Sequence, residues 1–137
     1  MKRLTPNMAV EDVRETVEYY VKNFGFKLVM AVSEDKSSVG DELVDGKEYI
    51  WANIMSGEVG IMFQRIDNLK EDVGNFFDTI GSSASFYIEV EDVDALYDSV
   101  INSVDIHKEI ETSWYGMREF YVKDPNGYIL AFAQNMS

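Results

Sequence analysis

The residues able to carry chemistry are few in kind. The chain has one histidine, His107, and no cysteine, which removes disulfides, thiolate metal ligands and a cysteine nucleophile together. His107 stands beside Lys108 and Glu109, and a lone histidine in a short polar run reads as a surface or packing residue. It does not make a Ser-His-Asp arrangement. Carboxylates are abundant, with 25 Asp and Glu, so neighbouring acids follow from composition and mark no acid–base pair. No glycine-rich phosphate loop occurs. The residues identify no catalytic constellation. What the chain does concentrate is aromatic and thioether side chains: Tyr49, Trp51, Met55, Met62, Phe63, Phe86, Tyr87, Trp114, Tyr115 and Met117. About half of these read as core. Trp114 and Tyr115, next to Gly116 in a connecting segment, do not need to be, and their chemistry is stacking and hydrogen bonding.

Composition narrows the partners. The 25 acidic residues against 12 basic ones leave a net charge of −13, which disfavours nucleic acid and anionic membrane. Two uses of that charge remain open: a solvated surface, or a field that attracts a cationic ligand. With 46% apolar and 27% charged residues in 137, the chain suits one globular domain with a sizeable core. Residues 1–10 are too short and too polar for a signal peptide or a spanning segment, and the lack of cysteine suits a reducing cytoplasm.

Two related halves must position these side chains. Val10-Glu11-Asp12-Val13 recurs as Val90-Glu91-Asp92-Val93, each time after a strand-like run, residues 4–9 and 84–89. Each copy opens an amphipathic segment with helical spacing: Val13, Val17, Tyr20, Val21 and Phe24 in one, and Val93, Leu96, Tyr97, Val100 and Ile101 in the other. The acids at both starts favour the positive end of the helix dipole and can cap free N–H groups. Beyond the first helix and Gly25 lie β-prone runs at 26–32, 48–55 and 59–66. Beyond the second lie runs at 106–110, 117–123 and 128–133, the last two joined by a tight turn at Asp124-Pro125-Asn126-Gly127. The expected fold is therefore α+β: two βαβββ modules, 1–66 and 84–137, forming a curved mixed sheet around a cavity. Residues 67–83 connect them, with a short helix or irregular segment at 67–77, and the polar stretch 33–47 reads as a long mobile loop.

This pattern resembles the vicinal oxygen chelate superfamily, which includes glyoxalase I, extradiol dioxygenases and the bleomycin-resistance proteins. Two stretches carry the resemblance: Val10-Glu11-Asp12-Val13 leading to Glu18-Tyr19-Tyr20 and Phe24-Gly25-Phe26, and Trp114-Tyr115-Gly116-Met117-Arg118-Glu119-Phe120 leading to Asp124-Pro125-Asn126-Gly127. The second is most similar to the bleomycin-resistance branch, from whose Trp-Gly-Arg-Glu-Phe run Tyr115 and Met117 depart. Enzymes of the superfamily hold a divalent metal with His, Gln or Glu from both halves. Carried over by motif, the four ligand positions fall on Thr5, Met62, Ser85 and Ala131. None offers the imidazole or carboxylate that zinc, nickel or iron requires, so the expectation is no metal and no cofactor.

The resemblance then implies a cavity with room for a small molecule where the metal would sit. The residues expected to line it are Thr5, Trp51, Met62, Gln64, Ser85, Tyr87, Trp114 and Tyr115, with Gln64 and Tyr87 sharing strand faces with Met62 and Ser85 by period-two alternation. The leading expectation is a metal-independent binding protein that sequesters an aromatic or cationic antibiotic of the bleomycin type. The alternative is a glyoxalase-like lyase or isomerase, or another metabolite-processing enzyme of the same superfamily. The resemblance also implies a homodimer.

Overall fold

The computed structural model of the protein describes residues 2–81 and 84–137. Met1, and Ser82 and Ser83 at the end of the expected connector, lie outside the described residues. The chain forms two compact units, Met1–Ile80 and Gly81–Ser137. Each is α+β, with a five-stranded sheet in the first, a four-stranded sheet in the second, and three helices in all among the described residues.

The first unit runs β1 (Asn7–Val10), α1 (Val13–Phe24), β2 (Lys27–Ser33), β3 (Val39–Gly40), β4 (Tyr49–Ser56), β5 (Val59–Arg65) and α2 (Ile66–Val73). The second runs β6 (Ser85–Glu89), α3 (Val93–Val100), β7 (Asp105–Thr112), β8 (Met117–Lys123) and β9 (Ile129–Asn135). The sheet orders are β1-β5-β4-β2-β3 and β6-β9-β8-β7. Setting β3 aside, the two orders match strand for strand. In both, the first strand lies parallel to the last, which requires the crossover helix that the repeated tetrapeptide begins.

That tetrapeptide works the same way twice. Its first valine ends or follows the strand, and its aspartate caps the helix: Asp12 accepts from the Glu15 N–H and Asp92 from the Ala95 N–H, both at 3.0 Å. Its second valine, Val13 or Val93, is buried under the helix. Gly25, at φ 68°, takes the left-handed conformation that ends α1. Each helix covers one face of its sheet. Tyr20 of α1 packs its ring 5.1 Å from Phe63, and Tyr97 of α3 lies 5.0 Å from Phe120, which stacks on Phe132. Burying side chains of this size contributes roughly 1.5–3 kcal/mol each.

Two sequence expectations change in detail, and one left open is decided. Pairing in β1 starts at Asn7 rather than residue 4, because Pro6 has no N–H and only its carbonyl is used, by the Met62 N–H at 2.9 Å. The segment after β5 is helical, with Leu69 of α2 buried. Residues 33–47 are not a loose loop. Val39 and Gly40 pair with β2, and Asp35 gathers the Ser33 and Ser37 hydroxyls and the Lys47 ammonium, each at 2.7 Å. Tyr49 and Arg14 hold the other end, the hydroxyl taking the Val44 N–H at 2.7 Å and the guanidinium reaching the Val44 and Lys47 carbonyls. None of the described helices is long and apolar enough to cross a membrane.

Candidate functional site

Each sheet has one face opposite its crossover helix, α1 or α3, and alternation decides which residues stand there; on the first sheet α2 covers the Gln64 end of that face. On the first sheet, one row across the strands reads Ala9, Gln64, Trp51, Val32, and the next reads Asn7, Met62, Asn53, Met30. The structure therefore brings three expected residues, Trp51, Met62 and Gln64, onto one face. Trp51 and Met62 are half-buried. Thr5 precedes the strand, next to Pro6, whose carbonyl accepts from the Met62 N–H. Gln64 is 5% exposed, and its amide is engaged on three sides: Nε2 donates to Asn68 Oδ1 and Asp72 Oδ2, both at 2.6 Å, and Oε1 accepts from Asn7 Nδ2 at 2.9 Å. It ties α2 and β1 to β5.

On the second sheet, one row reads Tyr87, Ala131, Tyr121, Lys108, and the next reads Glu89, Ala133, Glu119, Glu111. Ser85 shares this face with Tyr87 and is exposed. The two alanines carry no bulk, so Tyr87 on β6 lies across them and donates its hydroxyl to Glu119 Oε2 on β8 at 2.5 Å. Tyr115 donates to the other oxygen, Oε1. Glu119 is only 3% exposed, and among the described residues no Lys, Arg or His pairs with it. Partial burial, then the bond to Glu119 and its negative charge, push the Tyr87 phenol well above its ordinary pKa. The bond to Glu119 first, and burial next, raise Tyr115. Tyr121 is raised by burial and by the same carboxylate. All three rings are thus neutral donors around one buried acid.

Trp114 and Tyr115 occupy the hairpin turn between β7 and β8. The Gly116 N–H bonds the Ser113 carbonyl at 3.1 Å, and the Ser113 N–H and hydroxyl bond the Met117 carbonyl at 2.8 and 3.0 Å. Gly116 has φ 83°, a left-handed conformation that favours glycine, and a Cβ there would also push the Ser137 hydroxyl aside. This turn holds Trp114 at 95% exposure, its ring touching only the edge of Tyr115 at 5.3 Å. Arg118, one residue from Glu119, points to the opposite face and pairs with Asp94 of α3 at 2.8 Å. His107 is exposed on the edge strand β7.

Sequence reasoning missed Glu119, Tyr121 and Lys108. Glu119 lies within the Trp114–Phe120 motif, and its alternation with buried Phe120 and Val122 is the available signal. In a chain with 25 acids, one carboxylate does not stand out.

A family model described as the Glyoxalase/Bleomycin resistance protein/Dioxygenase superfamily matches residues 3–132, so the chain belongs to that superfamily. Solved structures with the same fold include a glyoxalase-related enzyme from Fulvimarina pelagi, at TM-score 0.74 and 17% identity, covering 98% of this chain and 89% of that one. TioX from Micromonospora sp. ML1 matches at TM-score 0.65 and 18% identity, over 97% and 95%. The bleomycin-binding protein from bleomycin-producing Streptomyces verticillus, complexed with copper(II)-bleomycin, matches at TM-score 0.59 and 23% identity, over 96% of both chains. No match was found among curated proteins.

The residues do not fit the superfamily's metal. Met62 offers a soft thioether, Ala131 no donor atom, and Thr5 and Ser85 only neutral hydroxyls. Among the described residues no three His, Cys, Asp or Glu side chains converge on a point that could hold an ion. Glu119, the buried carboxylate nearest these positions in register, is already engaged by two phenols.

Proposed function

We propose that this chain is a metal-independent binding protein that sequesters a small planar aromatic molecule, an antibiotic of the bleomycin type. The observation that carries the proposal is Trp114, 95% exposed on a hydrogen-bonded turn whose neighbouring Tyr115 reaches down to Glu119 on the second sheet. The hydrogen-bonded turn fixes the backbone that presents the ring, and a large exposed aromatic face can stack on a planar ligand. The lack of a metal donor set at Thr5, Met62, Ser85 and Ala131 supports holding rather than transforming the ligand. The bleomycin-binding protein of Streptomyces verticillus lends its ligand class to the proposal, and the net charge of −13 favours a cationic member of that class through long-range attraction that salt weakens. The protein would act in the cytoplasm, as a homodimer.

Titration of tryptophan fluorescence with bleomycin and other planar compounds tests this. Binding should quench emission, and Trp114→Ala should weaken it at least tenfold. Absence of quenching by every compound, or unchanged affinity in the variant, defeats the proposal. Stoichiometric zinc, nickel or iron together with turnover of methylglyoxal and glutathione would replace it with a lyase. Light scattering should give twice the 15.7 kDa chain mass.

A further inference from the structure

The second sheet holds a feature that stacking alone does not use. Glu119 is a carboxylate removed from water, and an ion in that position is stabilised only by what surrounds it. The Tyr87 and Tyr115 hydroxyls bond it directly and the Tyr121 hydroxyl interacts with it as well, whereas a carboxylate can accept about four hydrogen bonds, so one acceptor place remains beside the one Tyr115 holds. Around it stand the rings of Tyr87, Tyr115 and Tyr121, and the faces of such rings attract cations. The protein already exploits this at the rim. The Lys108 ammonium sits 5.7 Å over the Tyr121 ring, held outward by Glu111 at 2.9 Å. Tyr87 and Tyr115 are about half exposed, so a ligand can reach the group they cover.

We propose that this face recognises a positively charged nitrogen, an amidinium or a primary ammonium, whose N–H groups dock on Glu119 among the rings of Tyr87, Tyr115 and Tyr121. Tyr115 is the donor that yields its place, because it sits on the hairpin turn and is bonded to a residue only four positions away. The inference rests on the proposal that this protein binds a small molecule, and it names the chemical group that selects the ligand. Charge selection at a buried acid differs from attraction by the acidic surface, since it depends on one carboxylate and resists salt.

The test uses benzamidine and its neutral isostere benzamide, titrated into the whole chain by calorimetry. Benzamidine should bind at least tenfold more tightly, in keeping with the roughly ten- to hundredfold effect of a charge-assisted bond at a buried group. Glu119→Gln should reduce that ratio to about threefold or less, whereas Glu91→Gln, which removes an exposed charge elsewhere in the same unit, should preserve it. Equal binding of the two probes overturns the proposal, as does a ratio that survives Glu119→Gln or falls equally in Glu91→Gln. Should Glu119→Gln unfold, carbon NMR of glutamate-labelled native protein decides: benzamidine must move the resonance of a buried carboxylate, and movement of exposed ones alone refutes the site. Planar compounds that need Trp114 yet show no preference for charge would sink this inference and leave the binding function standing. Benzamidine selection through Glu119 with unchanged bleomycin titrations in Trp114→Ala would do the reverse.

Discussion

Replacing Tyr87 by phenylalanine removes one oxygen from the second sheet and keeps the ring that covers Ala131. The lost bond is the 2.5 Å contact to Glu119, a residue 3% exposed. Hydrogen bonds to charged groups contribute about 1.5–3 kcal/mol. Tyr87 is 49% exposed, so water can partly replace the hydroxyl, and the expected cost falls to about 1–2 kcal/mol. For a chain of 137 residues that corresponds to a drop in Tm on the order of 3–8 °C. Urea denaturation followed by both circular dichroism and fluorescence should show it, with coincident transitions confirming a single step. A double-mutant cycle with Glu119→Gln should return a coupling of about 1 kcal/mol or more. The same bond predicts alkaline behaviour. Because the folded state holds the Tyr87 proton more tightly than the unfolded chain, the contribution is complete below about pH 10 and is lost as pH rises through the raised folded pKa. Tyr87→Phe should flatten that decline. A variant as stable as the native protein, with zero coupling and an unaltered alkaline profile, would show that Glu119 does not depend on Tyr87.

The duplicated caps should behave alike: Asp12→Ala and Asp92→Ala should each cost about 1 kcal/mol in denaturation experiments, and a null effect at either would mean its 3.0 Å bond is not maintained in solution. The Arg118 guanidinium holds the Asp94 carboxyl below its ordinary value of 3.8, so its contribution is present above that pH and is lost as pH falls through the lowered folded pKa. In acid melts Asp94→Asn should therefore be less pH-sensitive than the native chain. Asp35→Asn should release the 33–47 segment, seen as faster amide exchange at Ser37 and Ser38 with β4 and β5 unchanged, because Asp35 receives the Ser37 N–H at 3.0 Å and anchors its neighbours.

Trp114-Tyr115-Gly116-Met117-Arg118-Glu119-Phe120 shows how far the residues alone carry. Period-two alternation places Phe120 inward, and the glycine marks the turn, so a hairpin with two aromatics at its tip was readable. The repeated Val-Glu-Asp-Val was more informative still, since capping and strand-to-helix crossover are local events decided within a few residues. Other roles depend on partners far away in the chain. Arg118 pairs with Asp94 across 24 positions, Tyr87 meets Glu119 across 32, and Gln64 meets Asn7 across 57. The segment 33–47 differs from its loop-like composition for a related reason: part of its order comes from Arg14 of α1, across 30 and 33 positions.

The amino-acid order thus determined the two halves, their helix starts and the connecting segment at Trp114, because each follows from short-range geometry. Only the tertiary structure decided which two of 25 acids, Glu119 and Asp124, are buried, and what holds Glu119. Burial is a property of the sheet register: two alanines, Ala131 and Ala133, must lie between β6 and β8 before Tyr87 can cross them to reach Glu119.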